Sequence, residues 1–175
     1  MIARPRPSEH APYFSRYIDL VPDGDLLSLL EDQHRVTQGM LVPLTPEGAK
    51  YRYADDKWSV TEVVGHLADT ERIFAYRALR FARGDGTPLA GYDENAYTPA
   101  GRFDDRSLGD VLAEFTTVRG ATVALLRGLP RDTFSRTGQA DGKPVSVRAL
   151  AYIIAGHERH HLNLFRSRYG LADKA

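Results

Sequence analysis

The chain has 175 residues, 23 basic against 23 acidic, and no cysteine. Those figures exclude disulfides, thiolate-ligated zinc, iron–sulfur clusters and a protein thiol nucleophile, and the balanced charge points to neither a nucleic-acid nor an anionic-membrane partner. The length fits one domain, 1–175, around one core; with no apolar run near the roughly 20 residues that span a bilayer, and no secretory leader legible in Met1 to Pro7, a soluble, cytoplasmic protein is expected.

Residues 1–22 open polar and proline-rich, then offer Tyr13, Phe14, Tyr17, Ile18 and Leu20, a lead-in expected to pack across the helices that follow. After Pro22-Asp23-Gly24, with an aspartate available as N-cap, Leu26, Leu29, Leu30, Gln33, Val36 and Met40 recur at helical spacing through about Val42. His34 falls off that stripe and reads as a surface residue, as does His10. Residues 43–57, with Pro43, Pro46 and Gly48, read as a loop ending at Trp58. Ser59-Val60-Thr61-Glu62 then matches a capping box and starts a second helix to about Arg83. Val60, Val63, Val64, Leu67, Phe74, Ala78 and Phe81 form its apolar arc. His66 lies on the border of that arc, as a solvated or hydrogen-bonded residue or as a ligand. Glu71 projects from the centre of the arc, where an unpaired carboxylate is costly.

Residues 84–106 carry glycines, prolines and tyrosines without a sustained period and read as a long connection, which allows the next helix to run parallel to the last. A third helix follows Ser107, with Leu108, Val111, Leu112, Phe115, Val118, Thr122, Leu125, Leu126 and Leu129 on one face, and Pro130 ends it. Arg119 sits on that face about as far from its cap as Glu71 is from its own. Parallel helices would therefore pair the two; the alternative is two charges reaching separate edges. Residues 130–145 read as a loop, and Ser146 caps a fourth helix to about Tyr169, stopped by Gly170.

Within that helix His157-Glu158-Arg159-His160-His161 crowds strong ligand types together. Val147, Leu150, Ile153, Ile154, Leu164 and Phe165 share one arc, with His157 and His161 near its middle, one turn apart. Both imidazoles point inward, to be met by hydrogen bonds or by a metal. The fold expected is all-α: a four-helix bundle, up-down-down-up, with the crossover between the second and third helices. His66 lies roughly 10 Å from the start of its helix and His161 roughly 12 Å from the end of the fourth, so antiparallel packing brings them level. Three neutral imidazoles can hold a divalent cation and leave a position open.

Trp58-Ser59-Val60-Thr61-Glu62-Val63-Val64-Gly65-His66-Leu67, Asp69-Thr70-Glu71 and Gly156-His157-Glu158-Arg159-His160-His161 resemble the DinB/YfiT-like superfamily of four-helix-bundle metalloproteins, over most of residues 25–169. The resemblance implies a metal held by His66, His157 and His161, nickel or zinc, and a homodimer. Iron and manganese also suit imidazole ligands. His157 and His160 form a second one-turn pair, which leaves His160 as an alternative ligand; the interior angle favours His161. Family members with assigned chemistry are metal-dependent transferases or isomerases that use low-molecular-weight thiols such as bacillithiol, mycothiol or glutathione. The expected function is thus a thiol-dependent S-transferase acting on small electrophiles. Glu71 or Glu158 would orient an imidazole or accept a proton, and Tyr92, Asp93, Asn95 or Tyr97 would shape the pocket mouth. The alternatives are a metal-dependent hydrolase and a non-catalytic metal- or ligand-binding stress protein with a structural metal. His157-Glu158-x-x-His161 also satisfies HExxH, but the few residues after it hold no third ligand, which speaks against a zinc peptidase.

Overall fold

The structure, a computed structural model, describes residues 1–172. Residues 173–175 of the single domain expected from the sequence lie outside the described residues. Turns of 3₁₀ helix lead into α1 (Ser15–Ile18), followed by α2 (Leu26–Leu41), α3 (Pro46–Ala49), α4 (Val60–Ala82), α5 (Glu94–Gly101) and α6 (Leu108–Gly128); a hairpin of β1 (Thr137–Ala140) and β2 (Lys143–Ser146) precedes α7 (Val147–Ser167). Asp25, Ser59, Ser107 and Ser146 each accept a backbone N–H from the residue three positions on, which fixes where the long helices begin. The capping box at Ser59 is closed on both sides, and Arg52 ties Glu62 to Asp104 just ahead of α6.

Four helices, α2, α4, α6 and α7, form the bundle, and the core shows their directions. Leu26 and Leu30 at the start of α2, Phe74 and Phe81 late in α4, Val123 and Leu126 late in α6, and Leu150 and Ile153 early in α7 share one apolar cluster. Met40 and Leu41, Val60 and Val64, Val111 and Leu112, and Leu162 and Phe165 share the other. Hence α2 and α7 run one way and α4 and α6 the other: up-down-down-up. No helix among the described residues is long and apolar enough to cross a membrane.

Between the two apolar clusters lies a buried polar layer centred on Arg119. Its guanidinium donates to Glu71 on α4 (2.7 Å), to Glu158 on α7 (2.7 Å) and to the Leu30 carbonyl on α2 (2.8 Å), so one side chain of α6 touches all three other bundle helices. The expected Glu71–Arg119 pair is present, and Glu158 is a second partner. Burial alone would raise the Glu158 carboxyl, but Arg119, His34 and Thr37 together hold it down to about 2.

The same layer corrects the reading of α2. His34 is buried, with Nε2 3.0 Å from Thr116 Oγ1 and its ring against Phe115, while Val36, expected in the stripe, is exposed. Gln33 and Thr37 donate to Glu158, so polar residues occupy the inward face because a charged centre faces them. His10 is buried too, beside the Ala11 carbonyl. Segments read as loops carry structure of their own. Thr45 caps α3 ahead of Pro46, Asp93 caps α5, and Asp141-Gly142, both at positive φ, turn the hairpin.

Arg119→Met leaves two buried carboxylates facing no cation and is expected to destabilise the fold by about 3–5 kcal/mol in urea titration. Arg127→Met, which removes only an exposed pair with Glu31, is expected to change stability by less than about 1 kcal/mol.

Candidate metal centre

His66 comes from the second turn of α4, and His157 and His161 from successive turns of α7. Antiparallel packing, held level by the Arg119 contacts, places their rings together. His66 Nε2 lies 3.0 Å from His157 Nε2, and His161 Nε2 lies 3.2 Å from the same atom. All three residues are buried, and among the described residues they form the one group of three ligand atoms close enough to share an ion.

Hydrogen bonds among these nitrogens cannot account for the arrangement. His157 Nε2 faces two other Nε2 atoms, but a neutral imidazole nitrogen either offers one lone pair or donates one proton, not both. At least one of the two contacts therefore lacks a matched donor and acceptor. A cation removes the conflict, since three lone pairs about 2.0–2.1 Å from one ion sit roughly 3 Å apart. The donor set thus fits a divalent metal. Burial, with the charge of His160 added, lowers the His66 pKa to about 4, and burial lowers those of His157 and His161 as well. All three are neutral at neutral pH, the form that ligates.

The surrounding contacts orient the rings. Thr70 Oγ1 lies 3.4 Å from His66 Nδ1 and 2.7 Å from the Tyr92 hydroxyl, giving a chain from the imidazole to the cavity wall. Trp58 packs on the His66 ring at 4.7 Å between centroids, and Tyr17 on His157 at 5.4 Å. Gly156 allows the latter contact, because a Cβ there would overlap the Tyr17 carbonyl. His161 Nδ1 is buried without a protein partner among the described residues. His160 is half-buried beside Tyr17, with its ring edge-on to His161.

The imidazoles form part of the wall of a cavity of about 460 Å³. Tyr92 and Asn95 line it, as the sequence reading anticipated; Asp93 instead caps α5, and Tyr97 is exposed on that helix. The reading missed Tyr13, Phe14 and Tyr17 from the lead-in, Arg77 from α4, and Asp141, Lys143 and Val145 around the hairpin. Glu71 and Glu158 do not line the cavity and are fastened to Arg119. That placement gives no support to a peptidase in which Glu158 meets substrate as general base.

The family model of the DinB superfamily matches residues 29–165. No curated protein matches the chain significantly. Among solved structures, it is similar to YfiT from Bacillus subtilis, described as a probable metal-dependent hydrolase with an unusual four-helix bundle topology. The two are 21% identical with a TM-score of 0.70, over 94% of this chain and 92% of that one. At that identity the likeness is one of fold.

Elemental analysis of untagged protein is expected to find about one divalent ion per chain, lost in His66→Ala and His161→Ala and kept in His160→Ala. Metal that persists in His161→Ala but disappears in His160→Ala would move the centre onto His160.

Proposed function

The chain belongs to the DinB superfamily, and from that premise we propose that it is a metal-dependent enzyme that hydrolyses a small-molecule substrate. The observation that carries this reading is the convergence of the three Nε2 atoms at the wall of a ligand-sized cavity. A structural metal is usually closed off by four protein ligands, whereas three imidazoles leave room for a reactant. The description of YfiT as a probable metal-dependent hydrolase agrees with it.

When bound, a divalent ion supplies Lewis acidity, polarising a substrate oxygen and acidifying water or a thiol. The rest falls to the protein. His66, His157 and His161 present neutral nitrogens, and with its Nε2 given to the ion His66 would carry its proton on Nδ1 and donate it to Thr70 Oγ1. The Thr70 hydroxyl is then free to donate to Tyr92 Oη, leaving the phenolic proton for the cavity. Burial raises the Tyr92 hydroxyl to about 12, so it acts as a proton donor rather than a base. Tyr13, Phe14, Trp58 and Phe74 supply apolar walls that limit water. Glu71 and Glu158 serve as positioning residues, setting the height of His66 against His157 through Arg119.

A second reading, thiol transfer with bacillithiol, mycothiol or glutathione, is favoured by the absence of cysteine from the chain, since any thiolate must then enter from outside. Nickel or zinc as the metal and a homodimer as the assembly belong to both readings.

Protein reconstituted separately with nickel and zinc is to be assayed on small esters and amides, and on a chloronitroaromatic electrophile with each thiol. The expected outcome is thiol-independent ester or amide hydrolysis that chelation abolishes and His66→Ala reduces by at least about a hundredfold. Turnover only when a thiol is present would select the transferase. Inertness in every arm despite full metal loading would leave a binding protein. Tyr92→Phe is expected to lower kcat by about tenfold to a hundredfold while metal content stays constant.

A further inference from the structure

Two arginines among the described residues are almost fully buried, and they are treated oppositely. Arg119, 3% exposed, is matched by two carboxylates. Arg77, 6% exposed and part of the cavity wall, forms no ion pair among the described residues. Its one hydrogen bond is from Nη2 to the Ala90 carbonyl (2.8 Å), which uses a single donor of the five a guanidinium carries. Nε and Nη1 have no protein acceptor among the described residues. The rings of Phe74 and Tyr92 flank the guanidinium, 5.6 and 6.0 Å from its central carbon. The acidic groups nearby do not neutralise it. The Asp141 carboxylate, exposed and bonded to Lys143, attracts Arg77 only from beyond ion-pair distance, and Glu94 elsewhere on the wall makes no ion pair with it.

A guanidinium set in a cavity wall, with donors open to the cavity and no counter-ion paired to it, is suited to an anionic ligand. Pinning the Ala90 carbonyl is a structural reason for a hydrogen-bond donor, but a neutral donor would serve it as well. We propose that Arg77 is the anion anchor of the cavity, binding a carboxylate at the end of the ligand remote from the three imidazoles. The stripe His66, Thr70, Phe74, Arg77 runs along one face of α4 at four-, four- and three-residue steps, so the groups that meet a ligand lie in line. Because a helical side chain leans back toward the helix N-terminus, the guanidinium and the imidazoles are separated by on the order of 10 Å. The ligand class is therefore a small, largely apolar carboxylate whose reacting group lies several bonds from its charge. In calling that ligand a substrate, the inference rests on the function proposed above; the anion site itself does not.

The test uses phenylbutyrate and its uncharged amide, phenylbutanamide, titrated calorimetrically into full-length protein, metal-loaded and again after chelation so that carboxylate binding to the metal is separated out. In both states phenylbutyrate is expected to bind at least about tenfold more tightly than the amide. Arg77→Met is expected to erase that difference without weakening the amide and without lowering Tm, and Arg77→Lys to retain part of it. Equal affinity for the two probes, binding of neither, or a preference that survives Arg77→Met would overturn the proposal. Should Arg77→Met not fold, the wild-type Arg77 Nε–H resonance decides: it must shift on addition of phenylbutyrate and stay in place with the amide. Failure in these arms would leave metal-dependent hydrolysis standing, and absence of hydrolysis would leave the anion site standing.

Discussion

One guanidinium sets the geometry of this bundle. Apolar side chains at the two ends of the core would tolerate a helix sliding by part of a turn, because contact between hydrocarbons is not directional. Arg119 removes that freedom, since its planar donors meet Glu71, Glu158 and the Leu30 carbonyl at fixed angles and reach every other long helix. His157 is adjacent to Glu158 in the chain, and His66 lies little more than one turn before Glu71. The ion-pair layer and the imidazole cluster are therefore one construction: whatever fixes the height of α4 against α7 for the charges fixes it for the ligands.

The two halves of this polar slice are electrostatically distinct. On the inner side, every charge is paired: a buried arginine meets two carboxylates, Gln33 and Thr37 use the remaining acceptor capacity of Glu158, and the His34 ring lies 3.9 Å from it. On the cavity side the imidazoles are kept neutral by burial and face one another with lone pairs in conflict, while Arg77 makes no ion pair among the described residues. Paired charge holds the fold together, while donors and acceptors at the cavity wall are left where a ligand can meet them.

Much of this was legible in the sequence because it depends on local periodicity. Ser59, Ser107 and Ser146 announced three helix starts, and the one-turn spacing of His157 and His161 put both on the inner face. The length of the crossover pointed to parallel α4 and α6, and parallel helices at equal distance from their caps gave Glu71 and Arg119 to each other. The reading of α2 failed for a reason that sequence periodicity cannot supply. Gln33, His34 and Thr37 turn inward because Glu158 and Thr116, distant in sequence, offer them partners. Asp141-Gly142, a strong turn signal, was passed over inside what read as a loop.

The sequence by itself determined the four long helices, which way they run and that His157 and His161 face inward, because caps, hydrophobic period and connection length act within a few residues of chain. Only the tertiary structure decided that His157 Nε2 meets those of His66 and His161 at about 3 Å, that Arg119 gathers two carboxylates rather than one, and that the lead-in, the hairpin and residues near α5 close a cavity over the site. Those outcomes depend on contacts between segments as far apart as Tyr17 and His157, and no local pattern records which buried charge will find a partner and which, like Arg77, will be left facing the cavity.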